Sequence, residues 1–214
     1  MSNGNGSEAP MLVERAKAII LHPLEEWNRI AKEDTPSGDI FTAYILPLAL
    51  IAPLSGFIGG QLFGYFRYGL LTGAIVAVLM LFLSLISLLA IVTITDFLSA
   101  KFGGETNYFN SFKLVAYAST PAWITGIFAI VPSLGVFSLL ALYSIYLFYV
   151  GTGPMLNIPK NRALAFTLVI CGCAVLLNLL IGAMSIANVQ LLSNMGLITP
   201  ADIPVKMHGM PSGE

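Results

Sequence analysis

Charge is scarce in this sequence. Of its 214 residues only 10% are Asp, Glu, Lys or Arg, and 57% are hydrophobic, whereas a soluble domain carries about 25% charged residues. With a mean hydropathy of +0.84, a soluble fold of this length could not hide so much apolar surface, so lipid must be the solvent for much of the chain. Histidine is rarer still. His22 and His208 are the only two, and neither lies in an expected membrane span, which deprives a Ser–His intramembrane protease of its base. There is no HExxH zinc motif, no P-loop, no GxGxxG cradle and no pair of aspartates within the apolar runs. The net charge of −1, with no basic patch interleaved with aromatics, excludes a nucleic-acid partner. The two cysteines, Cys171 and Cys173, stand at i,i+2 and point to different sides of a helix. They read as small core residues rather than a disulfide and leave the redox compartment open. Met195, Met207, His208 and Met210 are the only hint of a soft metal site. The reading is therefore of a chain without catalytic residues, cofactor or metal. The first 39 residues lack a basic-then-apolar start with a small-residue cleavage site, so the first apolar span should serve as an uncleaved anchor.

What the chain has is long uncharged runs behind a polar leader. Residues 1–9, rich in Gly, Ser and Asn, are expected to be disordered. Across 10–33 the apolar residues Leu12, Val13, Ala16, Ile19, Ile20, Leu24, Trp27 and Ile30 recur at three- and four-residue steps, with charges on the other faces. This predicts an amphipathic helix kinked at His22-Pro23. It would lie in the membrane interface with Trp27 at headgroup level, or pack on the protein's own cytoplasmic face. Residues 34–39 read as a turn-forming linker. Uncharged runs then cover 40–66, 68–95 and 114–159, and the last is too long for one crossing. Splitting it at Pro132-Ser-Leu-Gly135 gives spans at 112–131 and 134–153, and 163–187 makes a fifth. The expected fold is thus all-α and polytopic: a transmembrane domain of about five helices over 40–190, followed by a short tail, 191–214. With the N-terminus inside, Arg15, Lys17, Arg29, Lys32, Lys101, Lys113, Lys160 and Arg162 face the cytoplasm and only Arg67 and Lys206 the other side. The excess of basic residues in the cytoplasmic loops predicts N-in and C-out.

Three features could carry interactions or chemistry. Gly56, Gly60 and Gly64 are spaced by four, and Gly69 and Gly73 repeat the interval. Such spacing lets helix backbones approach closely, either between copies of the chain or within it. Ser119-Thr120-Pro121 marks a broken helix, which in transporters can build an ion site and elsewhere is a packing kink. Asp96 adjoins the end of an apolar run. It could bind a proton or cation together with Thr120, since intramembrane ionisable groups are costly, or simply sit at the interface beside Lys101.

A set of dispersed residues resembles the Yip family of Ypt/Rab-interacting multipass proteins, in its bacterial branch. They are His22-Pro23 with Trp27; Tyr44-x-x-Pro47; Gly103-Gly104 leading to Ser111-Phe-Lys-x-x-x-Tyr117-x-x-x-Pro121; and Tyr143-x-x-Tyr146 followed by Gly151 and Ile158-Pro159. The resemblance implies a five-span domain with a cytosolic N-terminus, in the bacterial inner membrane. Eukaryotic relatives act in vesicle trafficking with Rab GTPases and associate with one another. The acidic, Gly-Pro-containing motif that precedes their first span is missing from this chain, so the trafficking role does not transfer. The function expected is a non-enzymatic membrane scaffold or adaptor. It would engage membrane lipids, an unidentified membrane protein and a second copy of itself through Leu12, Val13, Ile19, Ile20, Trp27 and the glycine stripe. The alternative is a small homo-oligomeric transporter or channel with a polar site near Asp96 and the Pro121 kink.

Overall fold

The structure is a computed structural model that describes residues 8–63 and 70–194. Residues 1–7, Gly64, Arg67, Gly69, Met195, Lys206, Met207, His208 and Met210 therefore lie outside it. The described residues are helical throughout, joined by turns, with no strand among them. An amphipathic pair opens the chain: α1 (Glu8–Leu21) and α2 (Pro23–Ile30). His22 leaves helical geometry at φ −130° and ψ 54°, because Pro23 has no amide hydrogen to continue α1. After a short linker the chain is already helical at Ser37, earlier than the expected linker end. It passes through α3 (Ser37–Ile40), a π-helical turn (Phe41–Ile45), α4 (Leu46–Ala49) and α5 (Ile51–Phe63). The wide turn answers Pro47: the Leu46 amide reaches back five residues to the Phe41 carbonyl, as π-bulges do. Then come α6 (Leu70–Ser99), α7 (Tyr108–Ala118), α8 (Thr120–Thr125), 3₁₀ turns over Gly126–Ile130 and Pro132–Leu142, α9 (Tyr143–Leu156) and α10 (Lys160–Asn194).

Among the described residues, four helical stretches are long and apolar enough to cross a membrane: Ser37–Leu62, Gly73–Phe102, Ser133–Leu156 and Lys160–Ala183. The span expected over 112–131 is not among them. It is broken at Ser119 and again at Gly126, since Pro121 cannot donate to the Tyr117 carbonyl. The Thr120 hydroxyl donates to that carbonyl instead, at 2.7 Å. The expected break near Pro132 is present, with Val131 extended at φ −117° and ψ 110°. The last helix continues to Asn194, beyond both the fifth span's expected end and the expected start of the tail.

The core gathers where α2, α7, α9 and the start of α10 meet. Trp27, Ile30, Leu114, Leu147, Leu156 and Phe166 are fully buried there. The outer faces are apolar as well. Phe82, Ile86, Leu168 and Leu180 are exposed, and only 11% of the most apolar window of α6 is buried within the chain, so lipid must cover the remainder. At one end of the bundle the loops interlock. The Glu105 amide donates to the Leu156 carbonyl at 2.8 Å, and Gly103 turns the chain at φ +83°.

Of the expected glycines, Gly73 serves close helix approach: a Cβ there would lie 3.0 Å from Phe57 Cε2 on α5. Gly56 is exposed, with nothing within 4 Å of where a Cβ would stand, and Gly60 is half-buried. At Gly59 a Cβ would lie 2.5 Å from the Ile130 carbonyl oxygen. Backbone cannot yield as a flexible side chain can, so Gly59→Ala is expected to cost about 1–3 kcal/mol, while Gly56→Ala, inside a helix with open space at its Cβ, should keep or slightly raise stability. Unfolding of the two variants in detergent micelles, compared with the wild type, checks the contrast.

Candidate functional site: the node that docks the N-terminal helices

The first two helices join the bundle through one tryptophan. Trp27 is fully buried. Its indole N–H donates to the Leu147 carbonyl at 3.1 Å, and its ring lies where a side chain on residue 151 would be: a Cβ on Gly151 would come within 2.7 Å of Trp27 Cε2 and 2.5 Å of Leu114 Cδ1. Glycine in α9 thus opens the slot that the indole fills. Trp27 also meets the Tyr117 ring edge-on at 6.5 Å, and Tyr117 meets Tyr44 at 4.8 Å. Thr120 gives its one proton to the Tyr117 carbonyl, so in the 2.7 Å contact between Tyr44 and Thr120 the tyrosine is the donor. These aromatics tie α2, α7, the π turn and α8 together.

Charges lie on top of this cluster. Arg15 of α1 bonds Glu26 of α2 and reaches both carboxylate oxygens of Glu33 at 2.9 and 2.7 Å, while its guanidinium stands 5.8 Å from the centre of the Tyr117 ring. Glu26 is buried. Arg29, largely exposed, approaches Glu33 at 3.1 Å from outside. Burial alone would lower the Arg15 pKa, but the hydrogen bond and charge of Glu33, with Tyr117 and Glu26, outweigh it and hold the guanidinium above its ordinary value. From α7, buried Lys113 donates to the carbonyls of Ile30 and Glu33 and lies 4.3 Å from the centre of the Phe109 ring. The end of α2 is therefore capped by a cation, which suits the negative end of a helix dipole.

Ile19 and Trp27 do not face lipid; they are enclosed by the chain's own helices. For Trp27 the reason is the indole donor, which finds its acceptor on α9 and would otherwise need water. Leu12 and Ile20 are half-buried against the core, and Val13 is exposed. Asp96 is half-buried and accepts from Ser111 at 3.3 Å, and the adjacent Lys101 ammonium sits 4.4 Å from the Phe97 ring centre instead. Thr120 is fully buried and already engaged. Ser111 and Thr120 stand nine positions apart, about 13 Å along a helix, and their partners differ. Sequence reasoning missed Arg15, Glu26 and Glu33 as a unit. The signal was present in Glu26, beside Trp27 and four residues after the break.

Trp27→Ala is expected to lower stability by about 3–5 kcal/mol and to free the N-terminal pair for proteolysis, which a timed protease digest would show. Arg15→Met and Glu26→Gln should each destabilise the chain, and the double variant should lose less than the sum, by about 0.5–3 kcal/mol. A double-mutant cycle on unfolding measures this coupling.

Comparison with known proteins is consistent with this architecture. Residues 17–184 match the Yip1 domain. The inner membrane protein YohC of Escherichia coli, in strain K12 and in strain O6:H1, is 23% identical over 160 residues, covering 70% of this chain and 82% of YohC. No solved structure matches the chain. With relatives in that compartment and four membrane-capable helices, this is a multi-pass protein of a bacterial inner membrane. The match takes in Trp27, Tyr117 and Gly151 of the docking node, starting two residues after Arg15, and by it the chain belongs to the Yip1 domain family.

Proposed function

We propose that the chain is a non-enzymatic scaffold or adaptor, a membrane bundle that holds its N-terminal helix pair as a fixed platform for a partner membrane protein. The observation that carries this reading is the docking of Trp27 in the Gly151 slot. The most elaborate polar construction described in the chain serves assembly of that platform. Val13 on α1, together with Lys17 and Glu14, is left facing outwards, which is the arrangement a partner surface needs. The reading includes an N-terminus in the cytoplasm, supported by the distribution of Lys and Arg. It also includes a fifth crossing by the broken stack 108–130. In support of that crossing, α7 starts beside the interlocked loops, whereas Ile130 lies against Gly59 near the far end of the first span. A second copy of the chain is a further partner of this scaffold, with exposed Gly56 on the lipid side as a contact. In the transporter alternative Asp96 and Thr120 share a path; their separate partners favour the scaffold.

The test is cross-linking in native membranes, followed by affinity purification and mass spectrometry, on the wild type, Val13→Glu and Trp27→Ala. A stoichiometric membrane-protein partner is expected with the wild type and should be lost in both variants while the chain remains integral. Recovery of the chain alone, or equal recovery of the partner from all three, refutes the adaptor reading. Reconstitution and a flux comparison with Asp96→Asn would then address transport.

A further inference from the structure

The α1–α2 corner has a property that docking does not require. From Ala18 to Leu24 the sequence AIILHPL carries no Asp, Glu, Lys or Arg, and Lys17 and Glu25 frame it. Ile19 points inwards and is fully buried, whereas Leu21 and Leu24 are 57% and 64% exposed. The corner thus presents two leucines outwards at the position where the chain's helix is broken.

Position along the bundle decides what meets them. The loop at Gly104 and Glu105 is level with Leu156 at the end of α9. The first apolar stretch begins at Ser37, and Ser37, Gly38 and Phe41 line a groove with Tyr108, Phe109 and Phe112 of α7, so that stretch starts within about 10 Å of the loop level at 1.5 Å per residue. The corner lies further in. Trp27 bonds Leu147, and the Ile20 carbonyl accepts from the Tyr143 hydroxyl at 2.9 Å. Tyr143 is thirteen residues before Leu156, roughly 20 Å along the span. The corner therefore stands about 10 Å past the start of that stretch, a depth suited to an apolar element seated at the boundary of headgroups and acyl chains.

Two neighbouring features agree. The Ile20 carbonyl would normally accept from the amide of residue 24, a bond that the break at His22 removes. A tyrosine hydroxyl supplies the donor, as a water-poor setting demands. On the same stretch of α9, Tyr146 and Tyr149 are exposed, in the manner of the aromatic belt at a bilayer interface. No Asp, Glu, Lys or Arg interrupts residues 18–24 beside this stretch of α9.

We infer that residues 18–24 form a wedge that enters the lipid leaflet on the side of the N-terminal helices, with Leu21 and Leu24 in contact with acyl chains, while Trp27 and Ile19 hold the wedge to the bundle. This does not rest on the adaptor reading; a partner protein would bind the remaining outer face. The wedge displaces lipid on one side of the bilayer only.

The test uses the full chain in vesicles of phosphatidylethanolamine and phosphatidylglycerol. In a background of Cys171→Ser and Cys173→Ser, a nitroxide is attached at Leu21→Cys, at Leu24→Cys, at His22→Cys as a second variant of the corner, and at Lys32→Cys as an exposed reference. Collision rates with oxygen and with a water-soluble nickel complex are then compared. The oxygen-to-nickel ratio at Leu21 and Leu24 is expected to exceed that at Lys32 severalfold. Equal ratios would put the corner in water and overturn the inference. Labels shielded from both reagents would show a protein covering and overturn it as well. The unsubstituted chain gives an independent measure: a lipid with a photoactivatable group on its acyl chain should form adducts on the peptide containing 18–24 and not on 28–36, and absence of adducts on the first peptide would refute the wedge.

Discussion

Inside a bilayer no water is at hand to accept or donate hydrogen bonds, so each backbone amide and carbonyl must find a partner within the protein. Much of this structure follows from how its helix breaks meet that demand. At Pro47 the helix widens into a π turn, and the Leu46 amide reaches the Phe41 carbonyl. At Pro121 the deserted Tyr117 carbonyl receives the Thr120 hydroxyl, and the Val115 carbonyl two residues earlier receives the Ser119 hydroxyl at 2.7 Å. At His22-Pro23 the partner comes from another helix, Tyr143. Each repair fixes a direction of the chain. The first turns the chain into the bundle, the second lets α7 and α8 change course, and the third folds α1 back beside α2.

That third bend brings Arg15 to Glu26 and Glu33. Ion pairs removed from water gain little net stability, because desolvation offsets most of the attraction. What this network contributes is specificity. A buried Glu26 without a hydrogen-bonding partner would be unfavourable, and with Arg29 no nearer than 3.9 Å the register of α1 against α2 that supplies the Arg15 guanidinium is favoured. Packing provides the stabilisation, through the indole in the Gly151 slot and the aromatic cluster around Tyr117. Packing and charge act on the same contact, and the result is a helix pair held to the membrane domain as one body. A family defined over residues 17–184 therefore includes most of this pair within its domain rather than as an appendage.

Much of this was legible in advance for plain reasons. Uncharged runs of more than twenty residues have no soluble solution, so α6 and the start of α10 could be placed to within a few residues, while the end of α10 lies seven residues beyond the expected one. The break at His22-Pro23 and the extended residue before Pro132 follow from proline's missing donor. The span expected over 112–131 shows the limit of this reasoning. Its composition suits a crossing, but hydropathy does not register a helix interrupted at Ser119 and finished as a 3₁₀ turn. The glycine stripe shows another limit. Spacing by four puts Gly56 and Gly60 on related faces but does not say that Gly59, between them, is the residue pressed against Ile130.

By itself, the sequence determined the solvent, the helical class and the points of interruption, because transfer free energies and backbone donors are local properties. Tertiary structure alone decided which apolar residues are shared with lipid. Trp27 and Leu24 belong to the same amphipathic pattern, yet one is enclosed and the other exposed. The difference arises from a glycine at position 151 and a carbonyl at 147, more than a hundred residues away. A periodic pattern can mark a face as apolar, but only the fold brings up the surface that covers it.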